Sequence, residues 1–120
     1  MDISQRIAEL KKQPGFIDKV GMVLVHNGVV RSWSRKDGQE VVALEVKPDL
    51  AAIEAIRQEF LKKPGIFEII IEPLAGRFVP GDDLLYIIVA GDVRENVKPV
   101  LAEVLDKVKD GPIAKREIMA

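Results

Sequence analysis

The sequence predicts a single α+β domain, on three observations. Three stretches place apolar residues at helical spacing between caps and stops, and at least four others are short runs rich in β-branched residues. The 120 residues are enough for one hydrophobic core and too few for two. With 48% hydrophobic and 31% charged residues, such a core needs no staples. One domain over 1–120 is expected, with an N-terminal helix and linker over 1–15 and the core over 16–120.

The elements follow in order. Ile3, Ile7 and Leu10 repeat at helical spacing, Asp2 or Ser4 can cap them, and Gln13-Pro14-Gly15 stops the helix predicted over 3–12. Residues 20–25 read as a strand, Asn27-Gly28 as a turn, and Val29-Val30-Arg31 as a resumed extended run. Residues 34–39 are polar and form a surface loop, before a second strand over 40–47 with Val42, Leu44 and Val46 alternating. Asp49 caps a helix whose face is Leu50, Ile53, Ile56, Phe60 and Leu61, ended by Lys62-Lys63-Pro64-Gly65.

Residues 66–72 and 84–90 are nearly continuous in apolar side chains, which predicts two central strands. The Pro73 to Asp82 segment between them is a bent excursion. Val97, Val100, Leu101, Val104, Leu105 and Val108 predict a long helix from near Glu95, provided Pro99 falls in its first turn. Gly111 stops it, and 112–119 is a short extended tail. The β-α-β-β-α order suggests a ferredoxin-like or related split arrangement.

Composition excludes several functions. Eighteen Lys and Arg oppose nineteen Asp and Glu, a balance unsuited to broad binding of a nucleic-acid backbone. The chain has no cysteine and one histidine, His26, so no disulfide, thiolate or metal cluster is expected. No apolar run approaches the roughly 20 residues of a membrane span, and the N-terminus lacks signal-peptide character, so a cytoplasmic location is expected. There is no P-loop, GxGxxG, HExxH or GxSxG motif.

What remains is cationic. Lys109 and Lys115 flank Asp110-Gly111-Pro112, and Arg31 and Arg94 each follow an apolar strand, where a fixed guanidinium can grip a carboxylate or phosphate. Each also has a plainer reading: a dipole-compensating lysine in a last helical turn, or a strand-end surface charge. Six basic and five acidic residues lie between Arg94 and Glu117, so a basic pocket there requires tertiary convergence. His26 reads as a surface group near a turn, and Trp33 as a loop residue that contacts a partner or packs under its own loop.

Taken together, several segments resemble the large, catalytic subunit of molybdopterin synthase, the MoaE family. They are Gly28-Val29-Val30-Arg31, Val42-Ala43-Leu44-Glu45-Val46, Pro80-Gly81-Asp82 before an apolar strand, Arg94 after it, and Lys109 followed by Pro112-Ile113-Ala114-Lys115-Arg116-Glu117. The likeness covers roughly residues 20–118. It implies an α/β hammerhead fold, a mixed antiparallel sheet with packed helices. It also implies sulfur transfer that converts cyclic pyranopterin monophosphate (precursor Z) to molybdopterin.

The implied donor is a thiocarboxylate on the C-terminal Gly-Gly of a small ubiquitin-like carrier, the implied assembly a homodimer, and no cofactor is implied. Lys109 and Lys115 match the family's catalytic lysines, and Arg31 and Arg94 its substrate-holding arginines. Lys109 is expected at the donor tail and Lys115 at substrate or acid–base work. The chain departs from the family pattern at Val93, Ala114 and Pro73-Leu74, and its two lysines stand six apart instead of seven. A noncatalytic relative and an unrelated ligand-binding regulatory module are the alternatives. Because the sequence ends Ile118-Met119-Ala120, the carrier is expected to be a separate protein.

Overall fold

Apolar periodicity and capping chemistry account for most of the elements in the computed structural model, which describes residues 2–120; Met1 of the expected domain lies outside them. α1 (Ile3–Lys11) starts where the Asp2 carboxylate accepts the Gln5 N–H, and α2 (Phe16–Lys19) is one short turn after it. β1 (Met22–Val29) and β2 (Val41–Pro48) follow. α3 (Leu50–Leu61) is capped by Asp49, which accepts the Ala52 N–H. β3 (Ile66–Pro73), β4 (Gly76–Phe78), β5 (Asp83–Gly91), α4 (Arg94–Lys109) and β6 (Ile113–Met119) complete the chain.

Two antiparallel three-stranded sheets result. The first runs β1-β5-β3 and the second β4-β2-β6. α3 and α4 cover one face of the first sheet, packing Ile53, Phe60, Val97, Val104 and Val108 against Leu85, Ile87 and Val89. α1 and α2 cover the other face, where Leu10 packs with Ile88 and Ala90. Since side chains alternate along a strand, covering both faces requires apolar residues at successive positions through the body of β5. Leu84 through Ala90 are accordingly all buried. Each buried Leu, Ile or Val among them contributes about 1.5–3 kcal/mol relative to exposure.

The second sheet has no helix layer of its own. Its strand β6 turns the expected extended tail into a paired edge strand on β2, with Lys115 opposite Val46 and Glu117 opposite Leu44. The single expected ferredoxin-like sheet is therefore replaced by two, consistent with the hammerhead expectation.

Four element-level expectations are corrected. Asn27-Gly28 is not a turn: β1 continues through it, pairing Asn27 with Tyr86 and Gly28 with Leu85. Tertiary pairing with β5 overrides the local turn preference there. β3 is an edge strand, since a continuous apolar run reports burial of both faces and says nothing of both edges.

Pro99 is the sixth residue of α4, beyond its first turn. It is exposed, so the Glu95 carbonyl it leaves without a donor faces water, where the loss is small. Leu50 is also exposed, leaving Ile53 and Phe60 as the fully buried members of its predicted face.

Candidate active site

The end of β1, the loop that follows it, the last turn of α4 and strand β6 surround a cavity of about 620 Å³. α4 starts at the far end of β5 and runs back along the sheet, which returns Lys109 to the end of the molecule where β1 stops. On β6, Ile113, Lys115 and Glu117 share one face. Ile113 is buried in the main core, while Lys115 and Glu117 line the cavity. Leu44 of β2 and Leu84 of β5 supply apolar wall.

The loop is ordered by its own backbone. Ser34 N–H donates to Gln39 O (2.8 Å), Gly38 N–H to Ser34 O (2.8 Å) and Val41 N–H to Ser32 O (2.9 Å). Gly38 takes the left-handed conformation the reversal needs, at φ 75°. Ser34 is the one buried polar residue among the described residues. Its hydroxyl accepts the Lys36 N–H (3.3 Å) and donates to Glu117 Oε1 (2.9 Å), tying the loop to β6 across 83 residues. Trp33 is half exposed, bridges to Glu40, and carries the Arg31 guanidinium 4.8 Å from its ring centroid. The indole thus packs under its neighbouring cation, leaving much of its surface open.

Replacing Ser34 with Ala removes the hydroxyl bridge and costs about 1 kcal/mol, because Glu117 regains water as a partner. The measurement is amide hydrogen exchange. The Gly38 amide should exchange roughly fivefold faster, while amides of β5 keep their protection.

The cavity gathers Arg31, Arg35, Lys36, Lys109 and Lys115 against a single carboxylate, Glu117. Three of the four residues expected from the sequence, Arg31, Lys109 and Lys115, meet here. Arg94 does not. It is the first residue of α4, its side chain is solvated, and its guanidinium lies 3.6 Å from Glu95. Fifteen residues of helix separate Arg94 from Lys109, about 22 Å along the axis, so one chain cannot bring both to one cavity.

Sequence reasoning missed Arg35 and Lys36, which it treated as part of a plain surface loop. Three cations within six residues from Arg31 were the available signal. His26, expected at the surface, instead lines the cavity with Nε2 buried and unpartnered.

Crowding of like charge perturbs the lysines. The protein around the Lys109 ammonium strips part of its hydration, and Arg31 and Arg35 repel it, so its pKa is lowered despite help from Asp106. Lys115 is lowered for the same reasons, burial first, then Lys109 and Arg31, with Glu117 opposing. Both side chains still reach water, so solvent screens part of this repulsion. Such a site is preorganised to hold negative charge. Among the described residues, no three His, Cys, Asp or Glu side chains are grouped to hold a metal ion. No helix among them is long and apolar enough to cross a membrane.

The family model described as MoaE protein matches residues 1–111. The chain belongs to the MoaE family. No curated protein matches it. Among solved structures, the fold of this MoaE chain is similar to the molybdopterin synthase of Staphylococcus aureus, at 23% identity and a TM-score of 0.80, over 100% of this chain and 86% of that one. It is also similar to molybdopterin cofactor biosynthesis protein E from Burkholderia multivorans, at 26% identity and a TM-score of 0.76, covering 100% and 85%. A third similar fold occurs in the complex of subunits 1 and 2 of the Helicobacter pylori molybdopterin-converting factor, at 15% identity and a TM-score of 0.70, covering 98% and 80%. The MoaE hammerhead expected from sequence is the fold found.

Proposed function

We propose that this MoaE family member, whose role lies in molybdopterin biosynthesis, is the sulfur-transferring subunit of a molybdopterin synthase acting in the cytoplasm. The substrate is cyclic pyranopterin monophosphate, and the donor is the thiocarboxylate of a small ubiquitin-like carrier ending in Gly-Gly. The observation that carries this reading is the cavity with five cations and one carboxylate. Two anions must meet for the reaction, a cyclic phosphate and a thiocarboxylate, and their repulsion is overcome only where fixed positive charge awaits both. As sulfur bonds to a pterin side-chain carbon, its bond to the carrier's carbonyl carbon must break. Water supplies the oxygen that leaves the carrier a carboxylate.

Lys109 faces the donor tail and Lys115 the substrate, with Arg31 holding the phosphate. Arg35 and Lys36 add charge at the mouth. Arg94 enters only if a second copy supplies it, which fits a homodimer. A cation in the first turn of α4 opposes the helix dipole, so its position is not explained by the stability of one chain. The Helicobacter pylori complex of two subunits supports a small carrier as partner.

The test is reconstitution with a thiocarboxylated Gly-Gly carrier and precursor Z. Formation of the dithiolene is the expected result. Carrier binding without dithiolene, in a chain with Val93 and Ala114 at its departures from the family pattern, would instead identify a noncatalytic relative. Binding of neither would leave only the fold.

A further inference from the structure

Alternation along β1 places Met22, Leu24 and His26 on the face covered by α3 and α4. Met22 and Leu24 pack against the core, and His26 takes the next position, where core gives way to cavity. Its Nε2 is fully buried with no hydrogen-bond partner. Gly28 makes this burial possible: a Cβ there would stand 3.3 Å from Nε2 and 3.4 Å from the Leu85 Cβ, tighter than ordinary contact. An unpartnered buried nitrogen is destabilising, and a purely apolar side chain would fill the position without that cost.

The charged groups that line the cavity with the ring come from three elements. The loop brings Arg31, Arg35 and Lys36, α4 brings Lys109, and β6 brings Lys115 and Glu117. β2 and β5 contribute apolar wall only, from Val41, Leu44 and Leu84. By itself this field repels a proton. Burial first, then Lys109 and Lys115, hold His26 below its ordinary pKa, and the imidazole is neutral at pH 7.

We propose that His26 is a proton-coupled anion ligand: an anion held between Lys109 and Lys115 draws a proton onto the imidazole, so the cavity takes up its ligand and a proton together. The inference rests on reading the cavity as an anion site. The reason is reversal of sign. A bound anion replaces net repulsion with attraction, and imidazolium donates where the neutral ring can only share one donor and one acceptor. Linkage makes the effect reciprocal, so the protonated site binds the anion more tightly.

Inorganic sulfate is the probe, because it stays a dianion across the range where histidine titrates. His26 is the only histidine, so its ring resonances report unambiguously by NMR. At constant ionic strength, saturating sulfate should raise the His26 pKa by about one unit or more. Sulfate affinity measured by calorimetry should tighten on acidification, about tenfold for each unit of that shift. Across the range where histidine titrates, His26→Gln should bind sulfate with the one affinity the wild type shows at the upper end of that range. An unmoved His26 pKa with sulfate bound, or a pH dependence in the histidine range that persists in His26→Gln, overturns the proposal and leaves the anion site standing. No sulfate binding at any pH, or binding unaffected by Lys109→Ala with Lys115→Ala, overturns both.

Discussion

If the chain transfers sulfur as proposed, replacing Lys109 or Lys115 with Ala should lower dithiolene formation about a thousandfold, the scale on which a preorganised electrostatic contact to a reacting anion acts, and leave the fold intact. The two ammonium groups sit in one cavity with three other cations, and each has its pKa lowered by partial burial and by its neighbours. That lowering has a second consequence. A lysine held below its unfolded pKa binds its proton more weakly in the native state. The native chain therefore bears this repulsion at neutral pH, and wild-type stability rises as pH climbs from the folded value toward 10.5, the unfolded one.

Each alanine variant should thus melt slightly higher than the wild type, by about 2 °C once solvent screening is allowed for. A lost activity with a raised melting temperature separates a catalytic role from damage to the fold. Steady-state turnover with purified carrier and circular dichroism melts supply both readings. Wild-type turnover in either variant removes that lysine from the chemistry.

Ile87→Ala is expected to cost about 3 kcal/mol in urea unfolding, with an unchanged m-value. Ile87 is fully buried, pairs with His26 on one side and Ile71 on the other, and lies under the helices. Neither neighbouring strand can move inward without breaking its ladder to β5, so the void stays largely unfilled. A cost below about 1 kcal/mol would mean the layer collapses onto the gap, against the packing described.

Much of the architecture was legible in the residues. Asp49 caps the helix it was expected to cap, Asp2 is the one of the two candidates that caps the first, and Leu84 through Ala90 of β5 are apolar because helices cover both faces. Errors arose where a local preference met a tertiary partner. Asn27-Gly28 is a turn signal, yet pairing with Tyr86 and Leu85 keeps it extended. The tail over 112–119 carries no strong strand pattern, and β2 pairs with it all the same.

The candidate site was legible to a lesser degree. Arg31, Lys109 and Lys115 stood out as candidate cations by their places in the chain and took roles through the MoaE resemblance, whereas Arg35, Lys36 and His26 looked like ordinary loop and turn residues. Their importance comes from what stands opposite them, which no local window contains. Arg94 shows the converse: its place in the motif suggested the cavity, and the length of α4 keeps it out of the cavity formed by its own chain.

The sequence by itself determined the three longer helices and the main apolar strands, that one core suffices, and that the candidate chemistry rests on cations. These follow from side-chain periodicity, capping groups and composition, all properties of neighbours along the chain. Only the tertiary structure decided that a chain of net charge −1 holds a cavity with five positive groups and one negative. Antiparallel return of α4 and pairing of β6 with β2 bring together charges more than 70 residues apart, and electrostatic fields depend on distance in space.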